Sequence, residues 1–175
     1  MKCGISLVLG FLTTLGAGSA AMADDGFWYA EGGYHHANLD SEDGASLTLG
    51  LIGGNLGYEF ASGWAVEAVL AQGILEDDLT ILGIDVPFKA GTWYGLAGKY
   101  SWLIGDRGSV SVKLRTTSVG LEADAPGATV SESEWKVGWA IGGAYDLTDS
   151  VYAIGEFNQF MDTNTGVFVG VGIRF

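Results

Sequence analysis

The clearest pattern in the chain is a strict alternation of apolar residues with glycine or polar residues, and it is sharpest at the C-terminus. One parity there is wholly apolar: Val167, Val169, Val171, Ile173 and Phe175. The other parity is mostly glycine and includes Arg174. A period of two places successive side chains on opposite faces of a β-strand. The C-terminal segment is therefore predicted to be a strand with one apolar face.

Comparable alternation predicts eight strands, at residues 27–36, 47–60, 64–73, 88–102, 109–121, 134–146, 151–160 and 166–175. The short connections are 61–63, 103–108 and 147–150. The long ones are 37–46, 74–87 and 122–133, with 161–165 intermediate, and Pro87 and Pro126 fall within them or at their edges. Short turns at one end and long loops at the other are typical of membrane barrels. The prediction is an all-β protein, an eight-stranded antiparallel up-and-down transmembrane β-barrel.

Nearly every charged residue in these strands falls on the face opposite an apolar one. The predicted lipid-facing residues include Trp28, Ala30, Tyr34, Tyr58, Val66, Leu70, Leu96, Val112, Leu114, Val137, Ile141, Val151 and Ala153. The predicted barrel-interior charges are Glu31, Glu59, Glu67, Lys99, Lys113, Arg115, Lys136, Glu156 and Arg174. Because an eight-stranded barrel is just wide enough for side chains to fill it, we expect a packed network of ion pairs and no aqueous channel.

The aromatic residues are predicted to form two belts at the membrane–water interfaces, where amphipathic rings are favoured. The group expected at the short-turn end is Trp28, Tyr58, Phe60, Trp64, Tyr100, Trp102, Tyr145 and Phe175. The group expected at the long-loop end is Tyr34, Trp93, Tyr94, Trp135, Trp139, Phe157 and Phe160.

Residues 1–23 have the order of a secretory signal peptide: a positive start, an apolar run and small residues ending in A-x-A. We expect cleavage between Ala23 and Asp24, leaving residues 24–175 as the barrel domain. The apolar run, of roughly 11 residues, is shorter than a membrane-spanning helix needs. The single cysteine, Cys3, lies inside this segment, so the barrel domain is expected to contain no disulfide.

The formal net charge of −13 argues against a nucleic-acid partner, which requires a basic surface. Much of the acidity falls in the predicted long loops: Asp40, Glu42, Asp43, Glu76, Asp77, Asp78, Asp85, Glu122, Asp124, Glu132 and Asp162. The clusters Asp40/Glu42/Asp43 and Glu76/Asp77/Asp78 could collect Ca²⁺ or Mg²⁺ loosely, but they lack the spacing of a dedicated calcium loop. We expect a solvated acidic face and no cofactor.

Several short motifs resemble the OmpA/OmpX type of small outer membrane protein, in the group called outer-membrane β-barrel domain proteins. These motifs are Gly57-Tyr58-Glu59-Phe60, Lys99-Tyr100, Tyr145-Asp146-Leu147-Thr148-Asp149 and Gly170-Val171-Gly172-Ile173-Arg174-Phe175. The resemblance implies a bacterial outer membrane location, surrounded by membrane lipid and lipopolysaccharide. It also implies that Val167, Val169, Val171, Ile173 and Phe175 form the C-terminal signal read by the barrel-assembly machinery.

The favoured function is a non-enzymatic structural or surface-interaction role, with acidic extracellular loops meeting a ligand. One alternative is an outer-rim enzyme that modifies lipid A, using His35 or His36 with Ser41, Ser46 or Asp77 as conceivable neighbours. A small low-conductance pore is a second alternative. A soluble calycin-like ligand binder is the main rival for the fold, and it would have an apolar interior and a polar outside.

Overall fold

The computed structural model describes residues 26–40, 46–81, 84–125, 128–160 and 164–175. The expected signal peptide and its cleavage site, Ala23 and Asp24, lie outside these ranges. The strands are β1 (Gly26–Asp40), β2 (Ser46–Phe60), β3 (Trp64–Gly73), β4 (Glu76–Ile81), β5 (Ile84–Ala90), β6 (Thr92–Ile104), β7 (Gly108–Ala125), β8 (Ala128–Asp146), β9 (Val151–Phe160) and β10 (Thr165–Arg174). No helix in the described ranges is long and apolar enough to cross a membrane.

All strand pairs are antiparallel, and the sheet closes on itself. The strand order is β4-β5-β7-β6-β3-β2-β1-β10-β9-β8, with a further β7–β8 pairing that completes the ring. The two ends of the chain meet through β1 and β10, from Tyr29 opposite Arg174 to Asn38 opposite Thr165. Both β5 and β6 pair with β7, one after the other along its length, so together they occupy one position in the ring. The strand β4 pairs with β5 and lies outside the ring. The ten strands therefore form a barrel with eight strand positions. The predicted eight-stranded antiparallel barrel is confirmed.

The predicted continuous strand 88–102 is wrong, because Gly91 interrupts it. Ala90 lies opposite Leu121, and the next pair on the barrel side is Tyr94 opposite Ser118. Residues 91–93 therefore face the two residues 119–120, which is the arrangement of a β-bulge. The extra residue inverts the alternation: Ala90 is buried on the inner side before the bulge, and Trp93 is buried there after it. A uniform period of two across this segment could not predict that change of face.

The predicted loop 74–87 is also wrong, since most of it is the hairpin β4–β5, paired from Glu76–Lys89 to Ile81–Ile84. The acidic residues and Pro87 favoured a loop from sequence. Pro87 lies within β5 opposite Asp78, but the pairing of β5 with β7 covers only Phe88 to Ala90. Pro87 thus stands where β5 has one partner strand, the position in which a sheet tolerates proline.

The two faces of the barrel wall have opposite polarity. Outward-pointing side chains are largely exposed, with Leu114 at 68%, Leu96 at 64% and Leu70 at 60%. Inward-pointing charged side chains are buried, with Glu67 at 2% and Lys113 at 4%. A soluble barrel would have the reverse arrangement, so the outer surface is one that matches hydrocarbon.

A lysine on the outer face at mid-height should destabilise the protein strongly. Leu114 lies on β7 halfway between Val110, which pairs with Trp102, and Ser118, which pairs with Trp135. We expect Leu114→Lys to lower the free energy of unfolding from lipid vesicles by about 2–4 kcal/mol, because the charge enters hydrocarbon near the midplane. Urea titration followed by tryptophan fluorescence measures it. Leu114→Met is the apolar control, and equal stability of the two variants would contradict the outward placement.

Candidate functional site

The centre of the barrel holds a cluster of oppositely charged side chains around Lys113. Its Nζ contacts a carboxylate oxygen of Glu156 and lies 2.9 Å from Glu67 Oε2 and 3.7 Å from Glu31 Oε2. Lys99 Nζ joins the same cluster, 3.4 Å from Glu67 Oε1 and 3.7 Å from Glu59 Oε2. Glu67 therefore bridges the two lysines, and the six side chains, which we call the central ion cluster, come from β1, β2, β3, β6, β7 and β9.

Neutral side chains complete the hydrogen bonds of these carboxylates. Tyr29 donates its hydroxyl to Glu67 Oε1 at 2.5 Å. Glu31 accepts from Asn55 Nδ2 at 2.7 Å and from the Tyr152 hydroxyl at 3.0 Å. The sequence reasoning missed these three residues, although the alternation carried the signal. Tyr29 follows the outward Trp28, and the other two occupy inward positions of their strands in the same way.

The remaining predicted interior charges lie outside the central ion cluster. Arg174 Nη1 is 2.8 Å from Asp146 Oδ1 at the short-turn end, and its guanidinium lies over the Tyr152 ring. Asp146 was not among the predicted interior charges. At the opposite end, Lys136 Nζ lies 3.2 Å from Glu134, whose side chain is 74% exposed.

Arg115 has a different environment from the two central lysines. Its guanidinium carbon lies 4.7 Å from the centre of the Phe160 ring. Its Nε is buried without a hydrogen-bond partner among the described residues. Gly138 separates the two side chains on the intervening strand, since it pairs with Arg115 on one side and Phe160 on the other. The absence of a bulky side chain there allows this cation–π contact.

The half of the interior towards the long loops is apolar. We call it the apolar cap, and its buried residues are Ala37, Leu47, Leu49, Leu51, Ala71, Ala90, Trp93, Val119 and Phe160. Trp93 also donates from Nε1 to the Gly120 carbonyl at 3.0 Å. The predicted interior was a packed network of ion pairs and did not include this cap. On β2, Leu47, Leu49 and Leu51 alternate with Thr48, Gly50 and Ile52, so polarity alone does not indicate that the leucines point inward.

Two aromatic groups lie near the two ends of the outer wall. Near the short turns, Trp64 packs on Tyr100, which in turn contacts Trp102. Near the long loops, the rings of Tyr94 and Trp135 meet edge-on at 5.6 Å. The placement of Trp93 and Phe160 in the outer belt is wrong, because both are buried in the apolar cap. Trp93 follows the inward parity of Ala97 and Lys99 on β6, and Phe160 follows the inward parity of β9.

The histidines do not form the proposed rim site in the described part of the chain. His35 points into the barrel and stacks on Phe168 with ring centres 4.3 Å apart. Its Nε2 has no hydrogen-bond partner among the described residues. His36 is half-buried, on the opposite parity of β1. Ser41 lies outside the described residues, and the side chains of Ser46 and Asp77 are not described.

The structure does not describe the two acidic clusters that were considered for cation binding. Glu42 and Asp43 lie outside the described residues, and the side chains of Asp40 and of residues 76–78 are not described. Among the described side chains, no group of three His, Cys, Asp or Glu could hold a metal ion.

The predicted C-terminal assembly residues all lie on β10 or directly after it. Val167, Val169 and Val171 are exposed on the outer wall, whereas Ile173 and Phe175 are half-buried. The backbone of Phe175 is fixed by two hydrogen bonds: its N–H donates to the Trp28 carbonyl at 2.8 Å, and its carbonyl accepts from Trp28 N–H at 3.1 Å.

Comparison with known proteins gives one family and several similar structures. The family described as outer membrane protein beta-barrel domain matches residues 7–175. Ail, the attachment invasion locus protein of Yersinia pestis, is similar with a TM-score of 0.63 at 17% identity, covering 86% of this chain and 99% of Ail. OprG from Pseudomonas aeruginosa gives 0.63 at 15% identity, covering 87% and 97%.

Neisserial surface protein A gives a TM-score of 0.58 at 16% identity, covering 84% of this chain and 95% of that protein. At such low identities these likenesses show the fold alone. No curated protein sequence matches the chain.

Removal of the central lysine should destabilise the barrel far more than removal of an outer charge. In Lys113→Met, the buried Glu31, Glu67 and Glu156 lose their shared cation, and we expect a loss of about 3–5 kcal/mol in unfolding free energy. Urea unfolding in lipid vesicles measures it. The control is Glu134→Gln, which breaks an exposed pair and should cost less than about 1 kcal/mol. If Lys113→Met were as stable as this control, the central ion cluster would not hold the barrel together.

Proposed function

We propose that this chain, which belongs to the outer membrane protein beta-barrel domain family and is an integral protein of the bacterial outer membrane, is a non-catalytic platform that presents acidic strands to cationic partners outside the cell. The observation that carries the proposal is the length of the β7–β8 pair. Trp135, which lies opposite Ser118, marks the outer aromatic group, and seven further residue pairs extend from Val119–Glu134 to Ala125–Ala128. At about 3.3 Å per residue the two strands continue for about 23 Å beyond it.

The sign of the charge on the outer segments selects the class of partner. By sequence, the segments 37–46, 74–91, 119–137 and 161–165 contain two cations, Lys89 and Lys136. The acidic residues in the same segments are Asp40, Glu42, Asp43, Glu76, Asp77, Asp78, Asp85, Glu122, Asp124, Glu132, Glu134 and Asp162. A surface with this excess of negative charge attracts basic ligands and repels anionic ones.

Ail, which has a similar fold, provides a contrast in the charge of the ligand. Ail has been solved in complex with sucrose octasulfate, a heparin analogue and therefore a polyanion. The acidic outer segments of the present chain would repel such a ligand. Although the barrel fold is similar to that of Ail, we therefore propose that the partners of this chain are basic protein segments.

The filled interior supports a role as a platform and disfavours the alternative of a pore. The central ion cluster and the apolar cap occupy successive levels of the interior between the short turns and the long loops. We propose that the nine predicted interior charges serve stability, mainly through that cluster. We also propose that the exposed valines of β10 and Phe175 are read by the barrel-assembly machinery, and that lipopolysaccharide surrounds the outer aromatic group.

Neutralising two outer carboxylates should weaken the binding of a polycation to intact cells. Glu122 and Glu132 are exposed on the β7–β8 extension. We expect cells with the Glu122→Gln/Glu132→Gln protein to bind less fluorescent decalysine than wild-type cells at low salt, with the difference shrinking as salt screens the charges. Flow cytometry at equal surface expression measures the binding.

The matched control removes two negative charges at the other end of the barrel, by Asp106→Asn/Asp149→Asn. Both residues are exposed in short turns, which would face the periplasm. This variant should bind decalysine like the wild type. Equal binding by cells with and without the protein, or stronger binding of heparin than of decalysine, would overturn the proposed function.

A further inference from the structure

The β7–β8 extension has one edge that is open. On the β7 side it is covered by β5, through the pairs Phe88–Ala123, Lys89–Glu122 and Ala90–Leu121. On the β8 side, pairing with β9 begins at Gly138–Phe160 and continues towards the short turns. Within the described ranges, the ten residues Ala128–Val137 of β8 therefore have no partner strand on that side. We call this segment the open edge.

Two hydrogen bonds at the short-turn end of β8 determine which side of the strand each backbone group of the open edge faces. Asp146 N–H donates to the Arg107 carbonyl at 2.8 Å on the β7 side, whereas Leu147 N–H donates to the Val151 carbonyl at 2.9 Å on the β9 side. The register of β8 with β7 then continues without interruption to Ala128. Since the direction alternates along an antiparallel strand, even-numbered residues bond to β7. Odd-numbered residues, including Ser131 and Ser133, direct both backbone groups outward to the open edge.

The side chains of the open edge define what could pair with it. Ser131, Glu132, Ser133 and Glu134 are all exposed. The one cation of the segment, Lys136, lies at its base against Glu134. Natural proteins usually protect such an edge with charged side chains, proline or a bulge, and the protecting charges among residues 131–134 are both negative, Glu132 and Glu134. A second copy of the chain would bring like charges together, whereas a strand with lysines or arginines would place opposite charges across the pair.

We infer that the open edge, Ala128–Val137, is a docking strand for an extended, lysine- or arginine-rich segment of an extracellular protein. The segment adds to the sheet as a further strand beside β8, with backbone hydrogen bonds to Thr129, Ser131, Ser133 and Trp135. Strand addition of this kind takes its affinity from the main chain and its selectivity from side chains. The inference rests on the proposed function and specifies the site and geometry of the partner.

The test compares two peptides of equal charge on the full-length protein in lipid nanodiscs. One is an alternating lysine–threonine decapeptide, which can form a strand, and the other is the same peptide with every backbone amide N-methylated, which keeps the charge but has no backbone N–H to donate to a ladder. We expect the first to bind wild-type protein about tenfold more tightly, because the second loses the backbone hydrogen bonds. Equal affinity of the two peptides would overturn the inference.

The matched variants are Ser131→Pro/Ser133→Pro and Ser131→Ala/Ser133→Ala. The proline pair removes two outward N–H donors without touching the β7 ladder or the charge, and proline is tolerated where the N–H side of an edge strand faces solvent. We expect the proline pair to weaken lysine–threonine binding about tenfold and the alanine pair to leave it unchanged. Undiminished binding by a folded proline variant, judged by heat-modifiable gel migration, would overturn docking at this edge.

A measurement on the wild-type protein covers the case in which the proline variant does not fold. With saturating lysine–threonine peptide, amide hydrogen exchange should slow at Ser131 and Ser133 and stay unchanged at Glu132 and Glu134, which already bond to β7. No slowing at Ser131 and Ser133 would overturn the inference. If neither peptide binds the wild-type protein, the proposed function itself fails. If both peptides bind equally and Glu122→Gln/Glu132→Gln weakens both, the proposed function stands and only strand addition at the open edge is overturned.

Discussion

Closure of the sheet is the constraint on which the rest of this structure depends. In hydrocarbon every backbone N–H and C=O must find a partner within the protein, and strands achieve this only when the sheet has no edge. The pairing of β1 with β10, and of β7 with β8, removes the edges at membrane height. Closure also creates an interior that must be filled, and the outward face is committed to apolar residues. Ionic side chains are then left to the inside.

The interior is filled by three kinds of contact. Lysines and glutamates pair at mid-height, buried tyrosines bond to the same glutamates, and the apolar cap occupies the outer half. Glycines on neighbouring strands make this packing possible, since an added Cβ at Gly57 would collide with the Tyr29 ring and one at Gly172 with the Tyr152 ring. Buried pairs of this kind contribute little net stability compared with an apolar filling, but each depends on its partners. The wall thus becomes a rigid base for the strands that extend outside.

Beyond the membrane the requirement for closure no longer holds, and the sheet there is open on the β8 side as far as the described residues show. Water can satisfy the backbone groups of Ala128–Glu134, which lie beyond Trp135, so an open edge costs little there. The same edge would have been impossible a few residues lower, where Gly138 pairs with Phe160. The change from closed to open wall thus coincides with the passage from hydrocarbon to water, on the side where we propose that the acidic strands meet their partner.

The period of two was sufficient to predict the eight strand positions, because a lipid-facing residue and an interior residue differ sharply in polarity. It could not predict the bulge at Gly91, where a single extra residue puts Phe88 and Trp93, which have opposite parity in the sequence, on the same inner face. It also could not predict the partners of Lys113, since Glu31, Glu67 and Glu156 meet it only through the registers of strands far apart in sequence. The hairpin β4–β5 was missed because acidic residues and Pro87 outweighed its short apolar runs.

The direction of the two faces is tested most directly by methyl NMR of the wild-type protein in nanodiscs whose lipids carry a spin label on the acyl chain. The outer methyl groups of Leu96, Val112 and Leu114 should broaden strongly, while those of Leu51, Val69 and Ala97, buried inside the barrel, should remain sharp. Equal broadening of both sets, or broadening of the inner set alone, would contradict a barrel with an apolar outside and a filled, charged interior.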